Sequence, residues 1–312
     1  MSTLSQKLSA WLSLSRPPFH SVGVLPFVLG GVLAWQREGI FHWNICAWGT
    51  LGVVFVMLST YYAGEYWDYV EDSLGYSLSA SAHREPSRFA GGSRVLQRGL
   101  LPRHAALWGS LVGLLLAIGV ALVLRLGYRT GPWTIPFAVV GLLGGFFYST
   151  RPIRWVSTGL GELWIAFCYG WLPVAVGYYL QVGEVIPLIH WLAIPIGLTI
   201  FNVILLNEFP DYPADRAAGK ANLTVRLGRE RASLLYGLAS LGSWIATWVS
   251  IGQGVPSRIG WFYAPILVLS LTLVVLVVRG HWRNPTVLER LCAATLAVNL
   301  GTTAAYILAF VR

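Results

Sequence analysis

Asn207–Asp215 reads NEFPDYPAD, directly behind the apolar run GLTIFNVILL of residues 197–206. Three carboxylates within eight residues stand out in a 312-residue chain that is 55% hydrophobic and only 11% charged. A second concentration, GEYWDYVED at Gly64–Asp72, closes another apolar run and falls in the same register. Gly64 aligns with Asn207, Glu65 with Glu208, Asp68 with Asp211 and Asp72 with Asp215, each pair 143 residues apart. The helices that end in these motifs are therefore expected to be equivalent members of two halves.

Working outward, apolar runs approach the roughly 20 residues that cross a bilayer. They place nine spans at about 18 to 36, 43 to 64, 105 to 125, 133 to 150, 157 to 180, 186 to 207, 232 to 252, 260 to 278 and 286 to 310. With the N-terminus in the cytosol, all but Arg37, Arg125, Arg129, Arg258 and Arg312 of the 22 basic residues fall on the cytosolic side. This asymmetry fixes the orientation. It accounts for most of the +9 charge without a nucleic-acid partner. Four spans separate the motif helices, an even number that preserves direction, so the halves read as parallel repeats. The expected fold is an all-α polytopic membrane protein, residues 1–312 in one domain. It has nine transmembrane helices, two four-helix repeats plus one, around a central cavity opening at the cytosolic rim. Motif-bearing cytosolic loops are expected at about 65 to 104 and 208 to 231. The first run is too long, and lacks the cleavage site, for a secretory signal. Cys46, Cys168 and Cys292 lie in apolar spans without paired spacing, so they are expected to be packing residues rather than a disulfide or zinc framework.

Residues four apart share a helix face, which pairs Asp68 with Asp72 and Asp211 with Asp215, with Pro210 and Pro213 expected to loosen the second turn. Four carboxylates meeting at one rim repel each other and require cations, and Mg2+ bridging to a phosphate is the natural solution. A solvated helix end also carries acids, but matched spacing at matched positions argues against that simpler origin. Each motif precedes a loop rich in Arg and Gly, HREPSRFAGGSRVLQRGLLP and RAAGKANLTVRLGRER. Arg88, Arg94, Lys220 and Arg226 are the candidates there for diphosphate binding, with Gly91, Gly92 and Gly219 allowing close backbone approach. Arg151 and Arg154, after Tyr148, are placed to close that pocket from the side. Glu162, a buried-depth acid, is a candidate for a role toward substrate. Tyr61 shares the face of Asp68 and, with Arg16, is assigned to the substrate cavity. Asn202 lies about 140° from Asn207 and is expected to pack or hydrogen-bond between helices.

The two acidic motifs resemble those of the UbiA superfamily of intramembrane prenyltransferases, NDxxDxxxD and DxxxD on the second and sixth helices. The segments SRPPFHSVGVLPFVLGGVLA, FAGGSRVLQRGLL, GLGELW, GYYLQVGE and DRAAGKANLTVRLGRERA are most similar to the menaquinone-pathway branch, which prenylates 1,4-dihydroxy-2-naphthoate. The resemblance implies Mg2+ held among Glu65, Asp68, Asp72, Asn207, Asp211 and Asp215. It also implies an allylic prenyl diphosphate as donor and an aromatic small molecule as acceptor. Asp68, Asp72, Asp211, Asp215 and Glu162 are expected to carry the catalytic roles, with Glu162 or a motif carboxylate expected as base for the acceptor proton. One departure is Gly64, where the family motif has Asn, with Glu65 in place of its first Asp. A cyclase of the same fold would use the same ionisation without an acceptor. A transporter would instead place its charges near the midplane. The expected setting is a prokaryotic cell membrane with the active site facing the cytosol, and no obligate protein partner is indicated.

Overall fold

The structure, a computed structural model, describes residues 4–81, 87–89 and 91–311. Arg84 and Arg312, two of the basic residues assigned to sides of the membrane, lie outside the described residues. Among those described there is no strand. That follows from composition, because a helix satisfies every backbone N–H and C=O within itself, as a lipid-facing segment must.

The helices are α1 (Leu4–Leu14), α2 (Ser21–Glu38), α3 (Trp43–Trp67), α4 (Tyr69–Ser81), α5 (Arg103–Leu122), α6 (Thr134–Ser149), α7 (Gly161–Ala166), α8 (Leu172–Val182), α9 (Leu188–Ala217), α10 (Leu223–Leu227), α11 (Arg229–Gly252), α12 (Ile259–Val278) and α13 (Pro285–Phe310). A π-helical turn, Phe167–Trp171, joins α7 to α8 into one apolar rod. Among the described residues, eight helices or fused rods are long and apolar enough to cross a membrane. The chain is an integral multi-pass membrane protein. The expected span at about 133 to 150 folds as α6, whose 16 residues rise about 24 Å against a hydrocarbon core of about 30 Å.

Two expectations at the motifs need correction. The second motif does not open a loop: α9 continues through Pro210 and Pro213 to Ala217. The first breaks at Asp68, where α3 ends and α4 begins, yet Asp68 N still donates to Gly64 O at 2.8 Å and Asp72 N to Asp68 O at 2.9 Å. The helical register therefore persists across the break. The expected 65–104 loop accordingly contains the 13-residue α4.

α9 is the most buried of the spanning helices and forms the axis of the molecule. It packs against α11, α13 and α7, while α3 packs against α5 and α6. α2 and α8 approach closely because Gly30 faces Val174 O and Gly177 faces Phe27 O, leaving no space for a Cβ at either. Such small-residue contacts substitute for the hydrophobic drive that lipid removes. Asn202 donates to Tyr236 O at 3.1 Å and Ser240 Oγ at 2.9 Å, the interhelical role expected of it. The three cysteines are free, and Cys292 is buried between α9 and α13.

Candidate active site

α3, α4 and α9 deliver their acids to one cavity. Its wall contains Glu65, Asp68 and Asp72 from the first motif and Asn207, Glu208, Asp211 and Asp215 from the second. Arg16, Tyr61, Tyr148 and Lys220 line it as well. Ten of the candidates named from sequence thus converge: Arg16, Tyr61, Glu65, Asp68, Asp72, Tyr148, Asn207, Asp211, Asp215 and Lys220.

Lys220 reaches this cavity because α9 ends at Ala217 and the chain reverses through Gly219, at φ +73°. Its Nζ lies 3.4 Å from Asp215 Oδ1. Burial alone would lower the basicity of Lys220, but Asp215, Asp68, Asp211 and Asp72 outweigh it and hold the ammonium well above its ordinary range. Asp215 is also fixed by Asn222 Nδ2 at 2.8 Å. Burial, then the charges of Asp68, Glu65 and Asp211, push Asp72 well above the usual carboxylate range. This is the expected response of acids crowded without enough cation.

The Gly91–Gly92 turn enters from the other side. Both glycines have left-handed backbones, at φ +70° and +64°. Gly91 N donates to Asp211 Oδ2 at 2.9 Å, and Ser93 N donates to Glu65 Oε1. A Cβ on Gly92 would stand 2.6 Å from Asp72 Oδ2 and 3.1 Å from Glu65 Oε1. Gly92→Ala therefore combines left-handed strain of about 1–2 kcal/mol with displacement of two site carboxylates. The expected result is a lower Tm and a higher Mg2+ requirement for turnover; an unchanged Mg2+ titration would show that the turn does not set the carboxylates.

Asp68 is held by Ser149 Oγ at 2.6 Å and by Arg154 at 2.9 Å, and the same guanidinium binds Glu71. Burial opposes ionisation of Glu71, but the Arg154 hydrogen bond brings it below its usual range. Arg154, not Arg151, is thus the basic residue that engages the motif; Arg151 is exposed. Arg154 itself has a left-handed backbone, at φ 52°.

Four other candidates stand outside the cavity wall. Arg88 is exposed and its amide donates to Glu289 at 3.2 Å. Arg94 is half-buried; burial lowers its basicity against the pull of Asp211. Arg226 is exposed, lies over Gly159 and donates to Ala221 O at 2.7 Å. Glu162 is 1% exposed and accepts from Leu223 N at 2.8 Å, while Glu208 accepts from the neighbouring Thr224 N at 3.2 Å. Glu162 therefore anchors the segment that carries Lys220 and Asn222. Glu162→Gln keeps an acceptor for Leu223 N, so it is expected to retain most activity. Glu162→Ala is expected to lose about 10- to 100-fold in kcat/KM, the order seen when a supporting partner of a site is removed. Equal losses in both variants would point to a proton-transfer role instead.

The sequence reading missed Asn222, Ser149, Tyr169 and the Glu71–Arg154 contact. Asn222 carried a signal in the ANLT stretch, where it caps α10 by accepting from Val225 N at 2.8 Å. Tyr169 carried none.

The donors suit a hard divalent cation, since every one is oxygen. Asn207 Oδ1 and Glu65 Oε2 are buried against the cavity with no hydrogen-bond partner among the described residues. The set is not preassembled: among the described residues, no three His, Cys, Asp or Glu side chains already form a metal-binding group. Lys220, Arg154 and two backbone amides hold the carboxylates apart.

The chain belongs to the UbiA prenyltransferase family, whose profile matches residues 24–308. It is a prenyltransferase. The 1,4-dihydroxy-2-naphthoate octaprenyltransferase of Escherichia coli K12 is 26% identical over 304 residues, covering 94% of each chain. The 2-carboxy-1,4-naphthoquinone phytyltransferase of Synechocystis sp. is 22% identical over 251 residues, 80% of this chain and 76% of that one. A UbiA homolog from Archaeoglobus fulgidus, solved bound to GPP and Mg2+, superposes with a TM-score of 0.64 at 18% identity, covering 96% of this chain and 99% of that one.

Proposed function

We propose that this protein transfers a polyprenyl group from an allylic diphosphate to an aromatic acceptor, 1,4-dihydroxy-2-naphthoate or a related quinone precursor, with Mg2+ as cofactor. The observation that carries the reading is the union of two spaces. The acidic cavity shares Thr60, Tyr148, Ile165 and Tyr169 with an apolar chamber between α3, α5, α6 and α8. A charged head and a hydrocarbon tail are thereby accommodated side by side. The relatives named for naphthoate-type acceptors favour that substrate class.

Asp72, Asn207, Asp211 and Asp215, with Glu65, would hold Mg2+ at the rim. Bound there, the ion would neutralise charge developing on the diphosphate leaving group. Lys220 and Arg16 add fixed positive charge for the same oxygens. Breaking the allylic C–O bond leaves a cation at the mouth of the apolar chamber, facing Tyr61, Tyr148 and Tyr169. An aromatic face there contributes about 0.5–2 kcal/mol of stabilisation, and the apolar wall excludes water that would quench the cation. The acceptor's ring carbon then forms the new C–C bond. A motif carboxylate takes the ring proton, or, for a 2-carboxylated naphthoate attacked at C2, carbon dioxide leaves instead.

The same reading retains the nine-span topology, with α6 as a span, parallel repeats related by the 143-residue offset and the acidic cavity at the cytosolic face. Incubating purified protein with labelled geranylgeranyl diphosphate, Mg2+ and a panel of aromatic acceptors tests it. The expected product is an acceptor-dependent prenylated ring. A prenyl alcohol or cyclic hydrocarbon formed equally well without acceptor would overturn the transfer reading in favour of a cyclase.

A further inference from the structure

We infer that the groove between α1, α3 and α5 binds one anionic phospholipid, and that this lipid braces α1 and, through it, Arg16 in the acidic cavity. The groove and that cavity flank α3. Phe55, Leu58 and Tyr62 line the groove at a spacing that shares one helix face, whereas the adjoining Tyr61 lines the cavity. α5 supplies the facing wall, from His104 to Leu116. Over that stretch the helix rises about 18 Å, close to the hydrocarbon thickness of one leaflet, about 15 Å. The wall thus matches a single acyl chain reaching from headgroup to midplane. α1 lays Trp11 over Gly109, where a Cβ would stand 2.9 Å from the Trp11 and Tyr62 rings, and Trp11 meets Tyr62 edge-on at 5.6 Å.

The end of the groove where α5 begins is basic. Arg103 opens a membrane-length span, which puts this end at headgroup level. Arg103 Nε donates to Tyr66 O at 3.0 Å, and its guanidinium lies over the Tyr66 and Tyr69 rings at 4.5 and 5.1 Å. Tyr66 is one turn beyond Tyr62, so this pinned guanidinium stands at the mouth of the groove. His104 is exposed in the wall, and Lys7, also exposed, precedes Trp11 by one turn on the same face of α1. None of the three has a carboxylate partner among the described residues. Tyr62 is 9% exposed, and its hydroxyl has no hydrogen-bond partner among the described residues, which leaves it for a lipid oxygen. No acid lines the groove among the described residues. A zwitterionic headgroup would therefore leave its cation unanswered, and a neutral quinone would leave the basic groups unanswered; an anionic phosphate satisfies them.

The same lipid reaches the acidic cavity through α1. The outer face of α1, Leu4, Leu8 and Leu12, is exposed and apolar, which seats the helix in the membrane surface. Ser15 N donates to Trp11 O at 3.0 Å and Arg16 N to Ser13 O at 3.2 Å, so the left-handed turn at Arg16, φ 49°, is hydrogen-bonded onto the turn that carries Trp11. A lipid that fixes Trp11 thereby fixes Arg16 in the cavity wall.

The test counts bound lipid before it reads any effect on the donor. Detergent-solubilised protein is titrated with phosphatidylglycerol or phosphatidylcholine and the retained lipids are counted by native mass spectrometry. One phosphatidylglycerol per chain is expected, held about tenfold more tightly than phosphatidylcholine. Lys7→Gln and Arg103→Gln are each expected to weaken it about fivefold. Val112→Trp, which fills the groove from an exposed position, is expected to release both lipids. Equal retention of the two lipids, retention unchanged in all three variants, or a dimer that covers the groove with a second copy would overturn the site. Affinity for geranylgeranyl thiolodiphosphate in Mg2+ is then compared in nanodiscs with and without phosphatidylglycerol; this readout alone rests on the proposed function. The donor is expected to bind about fivefold more tightly with the anionic lipid present, the reverse of the repulsion that a negative surface alone exerts on a diphosphate. Val112→Trp is expected to lose that gain. Equal or weaker donor binding with the lipid present would overturn the bracing of Arg16.

Discussion

Replacing Asp211 by Asn is expected to lower kcat/KM by about 10³-fold or more, the scale of losing charge stabilisation at a leaving group. Asp211 lines the cavity from α9, one turn from Asp215, and its Oδ2 is aimed by the Gly91 amide. Asn preserves the shape and one acceptor oxygen but removes the charge that Lys220 answers and that the proposed Mg2+ would answer. Stability should change little, because Asp215 stands nearby as a like charge. Circular dichroism and thermal unfolding separate the two effects. Near-normal turnover in a folded Asp211→Asn variant would reduce the motif to a solvated helix end.

Lys220→Gln is expected to cost about 100-fold in kcat/KM and, without Mg2+, to lower the Tm. The ammonium side chain is 12% exposed and Asp215 is 4% exposed, so the pair is largely withdrawn from water. Removing one partner of such a pair costs about 3–5 kcal/mol before the remaining acids readjust their protonation. A distinguishing signature follows. Mg2+ should raise the Tm of Lys220→Gln more than that of the wild type, since the ion supplies charge that the lysine no longer does. An equal Mg2+ shift in both proteins would mean that Lys220 and the metal do not address the same carboxylates.

The helical membrane class and the meeting of Asp68, Asp72, Asp211 and Asp215 were legible because both rest on periodicity and register, which are local properties. Lys220 was legible as a basic residue of the Gly-containing loop directly behind the second motif. The arginines were not. Arg151 and Arg154 differ by three positions, yet only Arg154, whose backbone is left-handed, reaches Asp68 and Glu71. Arg226 points to Gly159 rather than the cavity, a contact 67 residues away in sequence that no spacing announces. Glu162 showed its importance through burial but not its partner, the amide of Leu223. Pro210 and Pro213 read as helix-loosening, whereas α9 runs on to Ala217 because its last turns are held by the neighbouring α4 and by the Asp215 contacts. α4 itself was hidden in YVEDSLGYSLSAS, whose low hydropathy and central Gly75 suggest a loop.

The central claim is that two motifs 143 residues apart act on a single diphosphate. The most direct measurement is a structure of the protein with geranylgeranyl thiolodiphosphate and Mn2+, with the metal located by its anomalous signal. The account predicts the diphosphate between Asp72 and Asp211 beside Lys220, metal density at the same carboxylates, and the tail in the adjoining apolar chamber. A diphosphate held by one motif alone, or lying outside this cavity, would contradict it.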